Sequence, residues 1–476
     1  MNTKTGILGL AAGFLLGAFP AGIQAGQTVT TTTEKPSESP LNQWWNGKYA
    51  SGNWFGLRDT LEDHGLNLGA SWRANFLGIV DGGTQQRAGF DEEFKFFGTL
   101  DFAKATGVEA LEGLTAYSSV RWRDGNGVNK YAGTTSNFGP STYQNGKQWR
   151  FQVAYLTYTT PELFGVKNFL TLSGGWQNPS DHFLTQPESK FFVNNTFTSG
   201  RGIGANGIPW GSAYAAWGGY ATVKPTDWFY VQSGLYLAIP FGTDTHNHGL
   251  DFQGYHPDPD LNGLFWLTEA GVTPKIGPAE LPGRYAAGFI YWGVENKSYR
   301  FNQVNDERLL LYWQADQMLF REPSQQEASV LGKGPSDGKT VASGKSFKDP
   351  VSEKTKLSDQ GLYFFSLLNF APAYNNAVPF YFHTGLIYKG LIPGRDDDQL
   401  GAAIAYGNYS FDNIEVQQSI GNTNQQNYTA VLEFDYRIQV TKFAYVQPLV
   451  QYIIHPSGSG AVQNDTILGV HMGVNF

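Results

Sequence analysis

The chain has 476 residues, 33 basic and 41 acidic side chains and a formal charge of −8, a balance that excludes a nucleic-acid binder needing a basic surface to displace phosphate counterions. Charged residues reach only 16% and aromatics 15%, with 58 Gly and no Cys, so disulfides, thiol chemistry and Cys-ligated zinc are excluded as well.

Residues 1–25 read as an export signal: Lys4 gives the positive end, Ile7 to Phe19 the apolar run, and Ala25 the small residue before a cut. Its removal leaves −9 on roughly 451 residues. No later stretch approaches the ~18 apolar residues of a membrane helix, so any crossing of a bilayer must be made by strands. Residues 26–52 form a polar leader, and GLRDTLEDHG at 56–65, within a 53–65 plug segment, predicts a short periplasmic helix with Leu57 and Leu61 on one face and Gly65 as its stop.

From residue 66 the apolar period becomes two. Leu66, Leu68, Ala70, Trp72, Ala74 and Phe76 alternate with Asn67, Ser71, Arg73 and Asn75, and the same alternation returns at 428–439. Sixteen strands are predicted, at 66–79, 94–104, 113–123, 149–160, 168–177, 213–224, 228–240, 263–274, 284–295, 309–320, 360–371, 379–390, 398–409, 427–440, 443–454 and 466–476. Their number is even, each is near the ~9–11 residues that span a membrane when tilted, and short and long connections tend to alternate. In hydrocarbon every unpaired backbone group costs several kcal/mol, so such strands must close into a transmembrane antiparallel β-barrel over 66–476. About sixteen strands leave a lumen wide enough for water. Ring clusters such as Trp228, Phe229 and Tyr230 at strand ends suit the headgroup level, although ordinary core packing accounts for each one singly. The polar insertion 321–359 breaks the scheme by falling on the short-turn side, which means either a miscounted strand or a periplasmic insertion. Leu468, Val470, Met472, Val474 and the terminal Phe476 alternate to the last residue, like the signal that outer-membrane assembly machinery reads, or like the closing strand of a soluble sheet.

NWFGLRDTLEDHGLNL at 53–68, GLIPGRDDDQLGAAIAYG at 390–407 and YVQPLVQYIIHPSG at 445–458, followed by terminal Phe476, resemble the carbohydrate-selective porins of Gram-negative outer membranes, the OprB-like family. The segments TLSGGWQNPSDHF at 171–183 and QADQMLFRE at 314–322 are similar to further parts of that family. The resemblance implies a 16-stranded barrel in the bacterial outer membrane that passes monosaccharides and small oligosaccharides, without cofactor or catalysis. The departures are the polar leader, the 321–359 insertion and His455, where Asn is expected. Implied partners are sugars, outer-membrane lipid and the barrel-assembly machinery; a homo-oligomer is compatible with it, nucleic acid is not.

Sugar recognition requires ring faces for C–H surfaces and carboxylate, guanidinium and amide groups for paired hydroxyls, held weakly so that flux continues. Strand parity turns Arg73, Tyr117, Arg121, Arg123, Glu433, Asp435, Arg437, Gln447 and Gln451 inward, each as a substrate-path candidate or a plain solvated wall. Trp176, with Gln177 and Asn178, offers a ring and amides at the root of a long loop expected to fold inward. GRDDD at 394–398 reads as a turn locked by Arg395 to Asp396 or Asp398, with a calcium site as the alternative. His246, His248 and His256 could bind a metal but read as solvated loop histidines, and no P-loop or HExxH motif occurs. Two competing functions remain: a general diffusion porin with charge selectivity, and an exported β-rich carbohydrate hydrolase.

Overall fold

The computed structural model describes residues 39–134, 138–143, 149–197, 201–211, 214–239, 246–252, 254, 256, 258–299, 303–305, 307–323 and 358–476. Residues Trp44–Phe476 form one compact unit, separate from the unit Met1–Gln43. The export signal and most of the leader lie outside the described residues.

Sixteen strands form the wall: β1 (Leu66–Asp81), β2 (Ala88–Asp101), β3 (Leu114–Asn126), β4 (Trp149–Thr159), β5 (Leu170–Gln177), β6 (Ala216–Thr226), β7 (Phe229–Ala238), β8 (Gly263–Val272), β9 (Leu281–Trp292), β10 (Arg308–Arg321), β11 (Gly361–Phe370), β12 (Phe380–Lys389), β13 (Gln399–Asn408), β14 (Tyr428–Thr441), β15 (Ala444–Ile454) and β16 (Asp465–Asn475). Each pairs antiparallel with the next, and β16 returns to β1 with Trp72 opposite Val474 and Arg73 opposite Gly473, so the sheet has no edge. Closure satisfies the backbone groups that hydrocarbon would leave without partners.

The period of two sorts side chains as an inverted protein does. Outward Phe76 and Leu311 are each 54% exposed, while inward Glu269 and His383 are 0% exposed. The short helix α1 (Leu57–Asp63) precedes β1, and Arg58 ties it down. The Arg58 guanidinium lies 3.8 Å from the Tyr49 ring and 4.2 Å from the Trp54 ring, and donates to the Leu68 carbonyl at 3.2 Å. Beside the closing seam, the Ala50 amide donates to Asn475 O at 2.8 Å and Phe476 N donates to Ala70 O at 2.8 Å. Strands β10 and β11 pair directly, from Leu311 opposite Phe370 to Arg321 opposite Gly361, so no strand is miscounted around the insertion; residues 324–357 lie outside the described residues. His455 sits at φ +50°, in the left-handed region that asparagine enters more readily than most residues, which accounts for the expected Asn there.

Candidate functional site

The long β5–β6 connection folds into the barrel and seals one side of it. Its rings and aliphatics Phe183, Leu184, Phe191, Phe192, Phe197 and Ile203 share one buried core with inward residues of the wall, among them Phe265, Leu267, Ile290, Leu310, Phe365 and Leu367. Gly401 on β13 makes room for Phe191: a Cβ there would fall 2.4 Å from the ring. Polar anchors fix the path within this apolar filling. Buried Glu269 on β8 accepts from six donors: Tyr230 Oη (2.8 Å), Arg284 Nη2 (2.9 Å), Tyr312 Oη (2.9 Å), Gln232 Nε2 (3.0 Å), Gln314 Nε2 (3.1 Å) and the loop amide of Leu184 (3.4 Å). Further round, Gln186 donates to Ser366 O at 2.9 Å and faces His383 Nε2 at 2.8 Å, and the Tyr381 hydroxyl donates to Thr196 O. Glu433 on β14 accepts the amides of Val193 (2.7 Å) and Asn194 (2.9 Å), while Gln447 donates to Phe191 O at 2.9 Å. A buried carboxylate is costly unless hydrogen-bonded, so these donors hold loop and wall together.

The opposite side, centred on β1 to β4 and joined by Arg437 and Tyr445 of β14 and β15, carries polar groups and rings. Glu93 on β2 lies between Arg121 (2.9 Å) and Arg123 (2.6 Å) of β3, and Arg121 also donates to Gln152. Arg73 donates to the Tyr445 hydroxyl at 3.1 Å, which also contacts His471 Nε2 at 2.8 Å. Gly473 permits this approach, since a Cβ there would lie 2.4 Å from the Tyr445 ring and 2.5 Å from Arg73 Nη1. The Arg437 guanidinium stands 4.4 Å from the Tyr445 ring and 4.7 Å from the Phe191 ring, so it bridges the open wall and the loop. Tyr117 and Tyr155 lie 5.3 Å apart, with Lys95 Nζ 5.6 Å from the Tyr117 ring. From the loop side comes Lys190, whose ammonium is exposed to the lumen: partial desolvation there and the nearby Lys95 and Arg121 charges press its pKa below the usual lysine value, against the pull of Asp181. Cations outnumber acids around this opening, and rings stand among them.

Comparison with known proteins decides what such a barrel is. Residues 90–476 match the family described as carbohydrate-selective porin, OprB family. The chain belongs to that family. The porin is 23% identical to Porin B of Pseudomonas aeruginosa over 458 residues, covering 90% of this chain and 92% of that protein. It is 22% identical to a putative porin, QuiX, of Acinetobacter baylyi, covering 91% of this chain and 95% of that one. Its fold is similar to that of Pseudomonas putida OprB in a high-pH structure, with TM-score 0.73, 20% identity and coverage of 90% and 99% of the two chains. The low-pH structure of that protein superposes with TM-score 0.51. This chain is accordingly a sugar-preferring porin, and its fold and family are those of a channel.

The porin brings part of the sequence-predicted set together. Arg73, Arg121, Arg437 and Tyr117 face inward from the open wall, and Arg123 faces inward but is buried against Glu93. Glu433, Asp435, Gln447 and Gln451 also face inward but are fully or almost fully buried, three of them tied to the loop or its neighbour: Gln451 accepts from Asn194 Nδ2 at 3.0 Å and donates to Pro140 O at 3.1 Å. Trp176 requires a correction. It pairs with Trp217 on the outward face of the sheet, its ring 5.7 Å from Trp217 and 5.8 Å from Phe252, because the inward residues of β5 are Ser173, Gly175 and Gln177. It therefore offers no stacking face to the lumen. Arg395 forms a two-pronged pair with Asp398 at 2.8 Å and 2.8 Å, and Asp398 accepts from Tyr436 Oη (2.7 Å) and Gln439 N (2.9 Å). GRDDD is thus a turn latched to β14, from which Asp396 is left out, and no metal-binding group occurs among the described residues. His248 stacks on Trp149 at 4.4 Å, His256 Nδ1 accepts from Asp258 N at 3.0 Å, and the His246 side chain lies outside the described residues. Sequence reasoning missed Glu93, Lys95, Asp181, Lys190, Tyr445 and the Glu269 hub. Glu93 and Lys95 carried a readable signal, since they alternate in step with Arg121 and Arg123 on the neighbouring strand.

Proposed function

We propose that sugars cross the bacterial outer membrane through the open side of this lumen, from the long-loop end outside the cell to the short-turn end in the periplasm. The observation that carries the reading is the division of the interior. The β5–β6 loop fills one side with apolar packing, while Arg73, Arg121, Arg123, Arg437, Glu93 and the rings of Tyr117 and Tyr445 line the other. Guanidinium and carboxylate groups bind hydroxyls in pairs, and rings receive the C–H faces, each contact weak enough to release. The polypeptide acts as a passive channel and not as an enzyme. Residues 1–25 are removed on export, α1 lies at the periplasmic end with the strand ends Arg321 and Gly361, and Phe476 is read by the barrel-assembly machinery.

The surplus of cations also favours a second reading, a general porin that prefers anions without recognising sugars. Planar-bilayer recording separates the two. Under the first, millimolar glucose or maltose reduces ion current and swells liposomes; under the second the current is untouched by sugar. A bilayer left electrically silent by the folded protein would sink both.

A further inference from the structure

Below the loop, at the short-turn ends of β5 to β9, lies a cavity of about 430 Å³ lined by Asp181, His182, Tyr220, Lys224, Asp227 and Arg284 among others. Its size falls within the roughly 300–1,000 Å³ of small-molecule sites. We propose that this cavity is a saccharide subsite at the short-turn end of the lumen, occupied by a sugar after it has passed the arginine cluster and the loop. The proposal rests on the reading of the protein as a sugar channel and extends it.

Three observations support the assignment. The first is charge. The arginine cluster carries a surplus of cations, whereas the cavity sets Asp181 and Asp227 beside Lys224, its Arg284 being paired with Glu269 in the wall. Such a mixed set presents both acceptors and donors, which suits a neutral polyhydroxylated ligand. The second is unspent hydrogen-bonding capacity. Tyr230 Oη, donating to Glu269 and accepting from Arg284 Nε, is used up within the wall, as is Gln232 Nε2 between Glu269 and His182 O. By contrast the buried Nε2 of His182 has no hydrogen-bond partner, and Lys224 enters no ion pair among the described residues. Burial, opposed by Asp181, pushes the His182 pKa down to about 4, so at neutral pH the ring is uncharged and offers a sugar hydroxyl one donor or one acceptor. The third is a ring wall. His182 and Tyr220 lie 4.4 Å apart and place an aromatic surface beside these polar groups. Sugar sites combine ring faces with both kinds of hydrogen-bonding group.

The test uses the full-length porin in detergent, with maltose as the probe in saturation-transfer difference NMR and glucose-driven liposome swelling alongside. Wild type, Arg121→Gln, Tyr220→Leu and Lys224→Met are compared, each checked for heat-modifiable gel migration as the sign of a folded barrel. The expected result is a maltose signal that survives in Arg121→Gln and whose half-saturation rises at least fivefold in Tyr220→Leu and in Lys224→Met. Lys224→Met leaves the ring packing intact and keeps the test decisive if Tyr220→Leu fails to fold. A signal lost in Arg121→Gln and unchanged in both cavity variants overturns the subsite, placing all binding at the arginine cluster. No maltose signal with normal glucose swelling overturns the subsite and leaves the sugar channel standing. Absence of both signal and swelling overturns the subsite together with the channel reading.

Discussion

The two sides of this lumen are built from the same alternating strands, yet they treat their inward positions in opposite ways. On β8 to β11 the inward residues include Phe265, Leu267, Ile290, Leu310, Phe365 and Leu367, which in an empty barrel would face water and here face the loop. On β1 to β3 the inward residues include Arg73, Glu93, Arg121 and Arg123, which are charged and pair with one another or with Tyr445 along the passage. Alternation therefore specifies the wall, and the chemistry of the inward half specifies what stands against it. A barrel of this width leaves space that side chains alone do not fill. The folded-in loop takes up that space on one side and leaves a passage on the other.

The sharpest way to break this division is to remove the hub that joins loop to wall. Glu269→Ala leaves Tyr230, Arg284, Tyr312, Gln232 and Gln314 without their shared acceptor, the uncompensated buried-charge situation that typically costs about 3–5 kcal/mol. The expected outcome is a loop that detaches: single-channel conductance rises and becomes noisy, and the barrel unfolds at lower temperature on heat-modifiability gels. Unaltered conductance and melting would show that apolar packing alone holds the loop. On the open side, Gly473→Val drives a branched side chain into the contact between Arg73 and Tyr445, an overpacking error of about 1–3 kcal/mol. It is expected to narrow the passage and lower conductance while melting shifts less than in Glu269→Ala. Smaller again is Arg121→Gln. It removes one of the two guanidinium groups paired with Glu93, a charge-assisted contact whose loss is expected to slow glucose swelling on the order of tenfold without loosening the loop. Equal swelling rates for wild type and Arg121→Gln would remove Arg121 from the sugar path.

Much of the wall was legible because lipid enforces a period of two on every strand, and sixteen segments follow from it. The start of β2 was missed because Asp91, Glu92 and Glu93 look like a loop in a linear reading; in the barrel Glu93 turns inward to the arginines and Glu92 receives the Trp72 indole N–H at 2.7 Å. Trp176 was misplaced because a ring at a loop root looks like a binding face until the parity of β5 is fixed by its neighbours. Glu433 and Gln451 were correctly turned inward but belong to the loop's support, and their partners in the 178–215 connection stand more than 200 residues away in sequence. Alternation gives the direction of a side chain and nothing about which distant segment meets it. The turn at Arg395 and Asp398 was readable because its partners are three residues apart.

His182 lies where the sealed and open sides meet, and its titration supplies the mildest probe of the boundary. Burial, partly opposed by Asp181, lowers its pKa from the ordinary value near 6.5 to about 4 in the folded protein. Between those values the unfolded chain binds a proton that the folded loop excludes, so stability falls as pH falls. The contribution is present in full above about pH 6.5 and is lost progressively as pH drops toward about 4. Hydrogen exchange of residues 179–192 in detergent at pH 7, 5.5 and 4.5 reads this locally, with the intrinsic exchange rate corrected at each pH. Carboxylates elsewhere also begin to titrate in the lower part of that range, so the informative quantity is the difference from His182→Gln, which carries no titrating group at the position. Wild type is expected to lose protection over this interval faster than the variant. Parallel loss in both would mean that the imidazole is not excluded from protonation by its surroundings, and that the boundary between packed loop and open passage is wetter at this point than its burial indicates.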